Sequence, residues 1–500
     1  MSMTIRQEPS TSDVHGVFEP LIYVLTSTEQ ADVLNFKFRY IADLYVRVGG
    51  GGVSTLVSRV RVYPNSAGAG VFRVDQLIQD WMAVTKADQG TVTDEIYNKS
   101  IHALGINTTT KLWSTSNKEN YRSVNVKFGQ EYATSLTEDP TPIYDVLPIN
   151  KIDCIMSAGL RRPNTWDMGI PDFLTNQNWI EDNYIPNASR KQVFSDRQID
   201  TNFTSTTAPT VSVVHQDTTL YEVRTLGVGM DGSAPQLSEA VSAWVGLYSS
   251  ADVLLDSAFF TASTGGGIAP GSVSTEAGRL QYIGVGPWNL TTQTIDSLSA
   301  SFLAGTVAYY EVFFMKDSTT VPSDLTLASI ASCCYKFTLK GGDCKFGTTN
   351  YNYVTLAWQN SLGSWDYQSF NLLHQRTTGS IERTTFEQVA GTWDTASATQ
   401  AFNYRGDQGG TRISNISATQ TMKANTDLFN EDEVALLETL YLSPNVYLLG
   451  QQGATVTPVV ITDSSFVRKT NLNERGPFLY QISFKYAKER PTTKGGTFRG

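Results

Sequence analysis

The chain has 500 residues, more than one hydrophobic core normally serves, so about two to four domains are expected. Its net charge is −10, which argues against a nucleic-acid binder, since phosphate recognition needs a basic face. No Lys/Arg run is longer than a pair such as Arg161-Arg162 or Arg190-Lys191.

Charged residues make up only 17%, and Gly, Ser, Thr, Asn and aromatic residues fill the gap, a balance that favours β-sheet with polar turns. Residues 1–19 read as an extended arm, polar and without periodicity until Phe18, of the kind that a neighbouring subunit orders. Met1–Ser10 has no apolar core of a secretory signal, and no apolar run approaches the roughly 18 residues of a membrane span. The expectation is a chain made in a cytosol and soluble, without membrane insertion.

Strands follow at Leu21–Thr26, Phe36–Val48 and Val53–Val62, where apolar and polar positions alternate. Gly49–Gly52 form a flexible tip between the last two. Asp75–Met82 read as a short helix capped by Asp75, with Leu77, Ile78, Trp81 and Met82 on one face. Ser123–Tyr132 is a further strand. Asp139–Pro209 is rich in Pro, Asn, Asp and Trp and reads as long loops serving subunit contact.

The Ser/Thr run ending at Pro209 marks a boundary, giving an N-terminal β domain over 20–205. Residues 206–335 then offer strands at Val211–His215, Leu220–Val228, Ala240–Tyr248, Tyr282–Val285 and Val307–Met315, the spacing of a β-sandwich. A C-terminal β-rich docking domain spans 336–490, and 491–500 are a short Gly/Thr-rich tail.

Within that last domain, Leu362-Gly363-Ser364 read as a tight hairpin turn between Tyr353–Trp358 and Tyr367–Leu372. Asn360 and Asp366 are placed to brace it by side-chain to backbone hydrogen bonds, so Asn360, Gly363 and Asp366 are assigned a structural role. Further on, Asn430 with Glu433 three residues later reads as a helix start. Val434, Leu437, Leu440 and Tyr441 form one apolar stripe, and Pro444 ends the helix. Extended runs at Val446–Leu449, Val456–Thr462 and Phe478–Tyr486 complete an αβββ unit. Asn430, Glu433, Leu437, Leu440, Tyr441 and Tyr447 are its candidate interface residues.

Motifs that could carry chemistry are weak. Gly227–Gly232 fits G-x-G-x-x-G, but Ser233-Ala234-Pro235 follow where a nucleotide site needs a helix, so a Gly-rich turn is expected. Arg405-Gly406-Asp407 is a frequent tripeptide in a polar loop. Cys154, Cys333, Cys334 and Cys344 contain no C-x-x-C and lie apart from most of the four histidines, so reduced thiols are expected and no metal site. Trp288, Trp358, Trp365 and Trp393 could stack on sugars or fill cores. No catalytic residue set and no cofactor are assigned.

Several stretches, in chain order, carry a resemblance. They are Pro20–Tyr45, Gly70–Asp75, Phe173–Asn176, Val354–Phe370 with its "NSLGSWDYQSF", Ser380–Arg383, Leu442–Leu448, Pro458–Ser465, Lys469–Asn473 and Tyr480–Ala487. Together they resemble a family of tailed-bacteriophage virion structural, tail-associated proteins. The family's turn pattern has a second glycine where this chain has Ser364. The middle, about 206–335, matches nothing in it.

The resemblance implies a non-enzymatic virion component of the tail, neck or fibre-attachment apparatus. Its partners would be copies of itself, in a ring or other symmetric oligomer, and other virion proteins. Recognition of host surface glycan, a glycan hydrolase and capsid decoration stay open as alternatives. The fold expected is mainly β: several antiparallel β-sandwich-like domains, a few short helices and the C-terminal αβββ unit.

Overall fold

The structure is a computed structural model. It describes residues 3–10, 14–32, 34–47, 54–82, 102, 113–114, 121–144, 147–155, 193–197, 216–220, 222–229, 242–261, 280–291, 298–316, 330–332, 334–339, 354–370, 372–394, 398, 401–404, 409–426, 431–450, 456–467 and 478–487. The chain is mainly β, with short helices and β-sandwich-like layers.

Two sheets build the N-terminal layers. One is three-stranded, in the order β1 (Met3–Gln7), β3 (Ile22–Ser27), β6 (Ala69–Arg73). The other runs β2 (Val14–Gly16), β10 (Asn150–Ile155), β8 (Tyr121–Ala133), β4 (Phe36–Arg47), β5 (Ser54–Val62), with β9 (Thr141–Ile143) on β8. Alternate residues of β4 and β8, among them Tyr40, Leu44, Val46, Val124, Val126 and Phe128, meet Tyr23, Leu25 and Phe72 of the smaller sheet in one core.

The expected arm is therefore not free. Met3–Gln7 pair antiparallel with β3, and Val14–Gly16 pair parallel with β10. Burial of Met3, Val14 and Val17 holds the segment on its own chain rather than on a neighbour. A second correction concerns Asp75. It opens helix α1 (Asp75–Gln79) but does not cap it, because Val74 takes the cap position and makes no side-chain cap bond. The buried Asp75 carboxylate instead accepts from the Leu21 amide at 3.3 Å and from Arg73 Nε at 3.0 Å, which ties the helix to the chain entering β3.

The central layers are a five-stranded sheet, β11 (Gln216–Thr218), β17 (Tyr335–Leu339), β16 (Tyr309–Met315), β13 (Ser242–Tyr248), β14 (Leu254–Thr261), and a three-stranded sheet, β12 (Thr225–Gly229), β15 (Leu280–Gly284), β7 (Trp113–Ser114). Leu226, Val228 and Ile283 of the second face Val245, Leu247, Tyr310, Val312 and Phe337 of the first. Helices α2 (Pro287–Thr291) and α3 (Leu298–Leu303) add Leu290, Leu298 and Phe302 to this core.

The edges of this sandwich do not respect the boundaries expected from sequence. Strand β7 comes from residues 113–114, and β17 straddles the boundary set at 335/336. Strand pairing is decided by which edges remain open in space, and composition along the chain does not record that.

The last sheet has seven strands, in the order β19 (Trp365–Phe370), β18 (Val354–Gln359), β24 (Val446–Leu449), β25 (Val456–Ile461), β26 (Gln481–Tyr486), β23 (Gly410–Asn425), β20 (Gln375–Gln388). Helix α4 (Glu431–Leu442) covers one face, setting Val434, Leu436, Leu437 and Leu440 on Leu356, Trp358, Ile482 and Phe484. It stops where Pro444 forbids continuation, and Ser443 Oγ accepts from the Asn445 amide at 3.3 Å. The αβββ unit thus forms as α4, β24, β25 and β26, but as the middle of a larger sheet. A two-stranded piece, β21 (Gly391–Asp394) with β22 (Ala401–Tyr404), lies between β20 and β23 in sequence.

Candidate assembly site: a locked hairpin turn and an exposed ribbon

The turn between β18 and β19 is built from its own side chains. Asn360 Oδ1 accepts from the amides of Leu362 at 3.1 Å and Ser364 at 2.8 Å. The Asn360 amide donates to the Ser364 carbonyl at 2.9 Å, and Gly363 sits at φ +79°, a left-handed value that suits glycine. Asn360, Gly363 and Asp366 therefore meet within one turn.

The turn is also clamped by a distant segment that no local sequence signal identified. Asp366 Oδ1 accepts from Ser195 Oγ at 2.5 Å, and Oδ2 accepts from the Asp196 amide at 2.9 Å and from Asn360 Nδ2 at 3.2 Å. In return, the Ser361 amide donates to Asp196 Oδ2 at 2.6 Å. Arg197 Nη2 donates to the Tyr367 carbonyl at 2.7 Å and to Gln368 Oε1 at 3.0 Å. Burial raises the Asp366 carboxyl, opposed by the Ser195 hydrogen bond and the Arg197 charge.

A second polar seam joins the central layers to β19. Arg224 Nη2 and Glu222 Oε2 are 2.6 Å apart, both buried, and Thr218 Oγ1 donates to the same oxygen at 2.9 Å. Ser369 Oγ on β19 donates to Glu222 Oε1. Beside it, His102 Nδ1 and the Tyr367 hydroxyl are 2.7 Å apart, and the ring lies edge-on to Trp365. Burial lowers the His102 pKa to about 3, so the imidazole is neutral at physiological pH. Around these groups Val14, Tyr121, Phe194, Tyr282, Ala357, Trp365 and Leu449 make one core, drawn from all three expected domains. Two further buried groups are Glu311, raised by burial against the Lys336 charge, and the Cys154 thiol, raised mainly by burial.

The candidate interface residues are placed otherwise than expected. Leu437 and Leu440 are buried in the chain's own core, Tyr441 packs on that core, and Tyr447 packs beside Trp365 and His102. The apolar stripe faces inward because the seven-stranded sheet needs a cover, so this face is not available to a partner. Asn430 lies outside the described residues, and Glu433 belongs to the first turn of α4. Among the aromatics considered for sugar stacking, Trp358 and Trp365 are buried, Trp288 packs in the shared core and Trp393 is exposed. Gly227 and Gly229 lie within β12 rather than in a turn, and Arg405-Gly406-Asp407 fall outside the described residues. Among the described residues no group of three or more His, Cys, Asp or Glu is arranged to hold a metal ion.

The surface that carries no local sequence signal is the ribbon β20–β23. Its strands pair from Gln375–Lys423 to Gln388–Gly410, yet among the described residues only Thr421–Asn425 of β23 also pair with β26. The remainder leaves the sheet as a two-stranded ribbon, and β20 is exposed or half-exposed along its whole length. At the far end Trp393 pairs with Phe402, and Gly391 with Tyr404. Residues two apart on a strand share a face, so Trp393, Phe402 and Tyr404 lie together there, exposed by 57%, 46% and 76%.

No family model matches this chain, and no curated protein matches it. Among solved structures, it is similar to trypsin-activated alpha-2-macroglobulin from Escherichia coli, at 6% identity and a TM-score of 0.18, over 86% of this chain and 23% of that one. A likeness that slight carries no argument about fold or function.

Proposed function

We propose that the chain is a non-enzymatic structural component of a bacteriophage virion, of the tail, neck or fibre-attachment apparatus, and that it assembles with copies of itself. The observation that carries this reading is the ribbon: an element exposed on both faces, standing on a body whose buried polar groups brace one another. Asp366, Glu222, Arg224 and Arg197 are each spent on holding chain segments together. Rigid layered β-domains with a projecting contact element suit a mechanical role. The sequence resemblance points the same way.

A second reading, recognition of host surface glycan, is favoured by Trp393, exposed beside Phe402 and Tyr404. Light scattering after size exclusion tests the first, alongside release of reducing ends from bacterial surface polysaccharide. A defined oligomer without cleavage supports assembly. A monomer that cleaves polysaccharide overturns it in favour of a hydrolase.

A further inference from the structure

We infer that the β20–β23 ribbon is the element by which one copy of this chain grips a second copy, with Trp393, Phe402 and Tyr404 as its anchor. This deepens the assembly reading above and rests on it.

Three observations lead there. First, a two-stranded ribbon without a covered face is marginal in water. Both strands carry apolar side chains into solvent, with Ile381, Phe386, Val389 and Ile413 exposed along the ribbon below the aromatic tip. Second, its dimensions suffice. Eleven residues of each strand beyond the sheet, 378–388 and 410–420, at about 3.3 Å each and two strands about 10 Å wide, present roughly 700 Å² over two faces before the tip is counted. A stable interface needs about 800 Å² per partner. Third, the charge favours this partner. Between Gln375 and Asn425, Arg376, Arg383, Arg405, Arg412 and Lys423 outnumber Glu382, Glu387, Asp394 and Asp407 by one, in a chain of net charge −10. All of the excess acid therefore lies on the body that a second copy would offer.

The free edge of β20 is the less suitable contact. Its pairing is irregular between Gly379 and Glu382 and again at Thr384–Thr385, and Arg376, Glu382, Arg383 and Glu387 stud it. Bulges and charges of this kind block edge-to-edge strand addition. The aromatic tip pairs in regular register from Gly391–Tyr404 to Asp394–Ala401, and among its described residues Asp394 alone is charged. The contact is heterologous, tip to body, and closes only as a ring.

The test compares the full chain with a triple variant, Trp393→Ser, Phe402→Ser and Tyr404→Ser, by light scattering over a hundredfold concentration range. A control variant, Leu442→Ser with Val467→Ser, removes exposed apolar groups elsewhere. The expected result is an oligomer for the natural chain and the control, and a monomer for the triple variant at an unchanged melting temperature. An oligomer that survives the triple variant overturns this inference and leaves the assembly reading standing. A natural chain that stays monomeric throughout overturns both. If its adhesion to bacterial cells then fails in the triple variant, the tip serves a host surface instead.

Discussion

Gly227 and Ser364 occupy one space. A Cβ built on Gly227 in β12 would lie 2.3 Å from Ser364 Oγ, far inside contact distance. Ser364 is fully buried at the end of the β18–β19 turn. The missing side chain at Gly227 is what admits the extra one at Ser364. Gly227 is therefore small for a steric reason rather than for binding phosphate, and the same contact accommodates the serine, across the junction of two sheets.

Gly227→Ala should therefore destabilise the chain by about 1–3 kcal/mol through overpacking. Ser364→Gly in the same chain should restore most of the loss, since it returns the space. Chemical denaturation of the two single variants and the double measures this as a coupling energy. Additive effects would show that the two residues do not compete.

Asn360→Ala should cost about 3 kcal/mol, because it strips partners from two buried amides, those of Leu362 and Ser364, at roughly 1–3 kcal/mol for each orphaned donor. Asn360→Asp should cost at least as much at neutral pH, because its second carboxylate oxygen would replace the Nδ2 that donates to Asp366 Oδ2 at 3.2 Å and to the Phe194 carbonyl at 3.0 Å, burying like charges together. Thermal unfolding that leaves the alanine variant as stable as the natural chain would refute the bracing role.

Leu437→Ala and Leu440→Ala should each destabilise by about 2–5 kcal/mol, as core truncations do. Neither should change the oligomer mass at temperatures where the variants stay folded, because both side chains face the seven-stranded sheet of their own chain. A change of mass without loss of stability would return α4 to the interface.

His102 supplies a pH dependence with a definite sign. Its folded value is lowered to about 3, against about 6.5 for the unfolded chain. Its contribution is complete above pH ~6.5 and is lost as pH falls from there through about 3, because the unfolded chain takes up a proton that the folded chain refuses. The slope from this group approaches about 1.4 kcal/mol per pH unit. Asp366 and Glu311, both raised, act in the opposite sense, with stability present at low pH and lost as pH rises. Comparing the natural chain with His102→Gln removes their share. The variant should lack the His102 slope, and parallel curves for the two would mean that His102 is not held neutral.

The local elements are legible in the order of residues. Alternation of apolar and polar residues marks β4, β5 and β8 to within a few residues, and a nearly continuous apolar run marks β16. The capping and stop signals around Glu431–Pro444 place α4, and Asn360 with Gly363 mark a tight turn. Each of these depends on neighbours in the chain, so each is written locally. Long-range packing, by contrast, sets the stripe of α4 against its own sheet, brings Val14–Gly16 onto β10 and Trp113–Ser114 onto β15, and lays residues 193–197 on Asp366. It also governs the fate of Gln375–Gln388. Both faces of that strand are polar with scattered apolar residues, so it carries no periodic signal, and only its pairing with Gly410–Asn425 makes it a strand. Burial and pairing are properties of distant segments brought together, and the order of residues fixes them only through the fold.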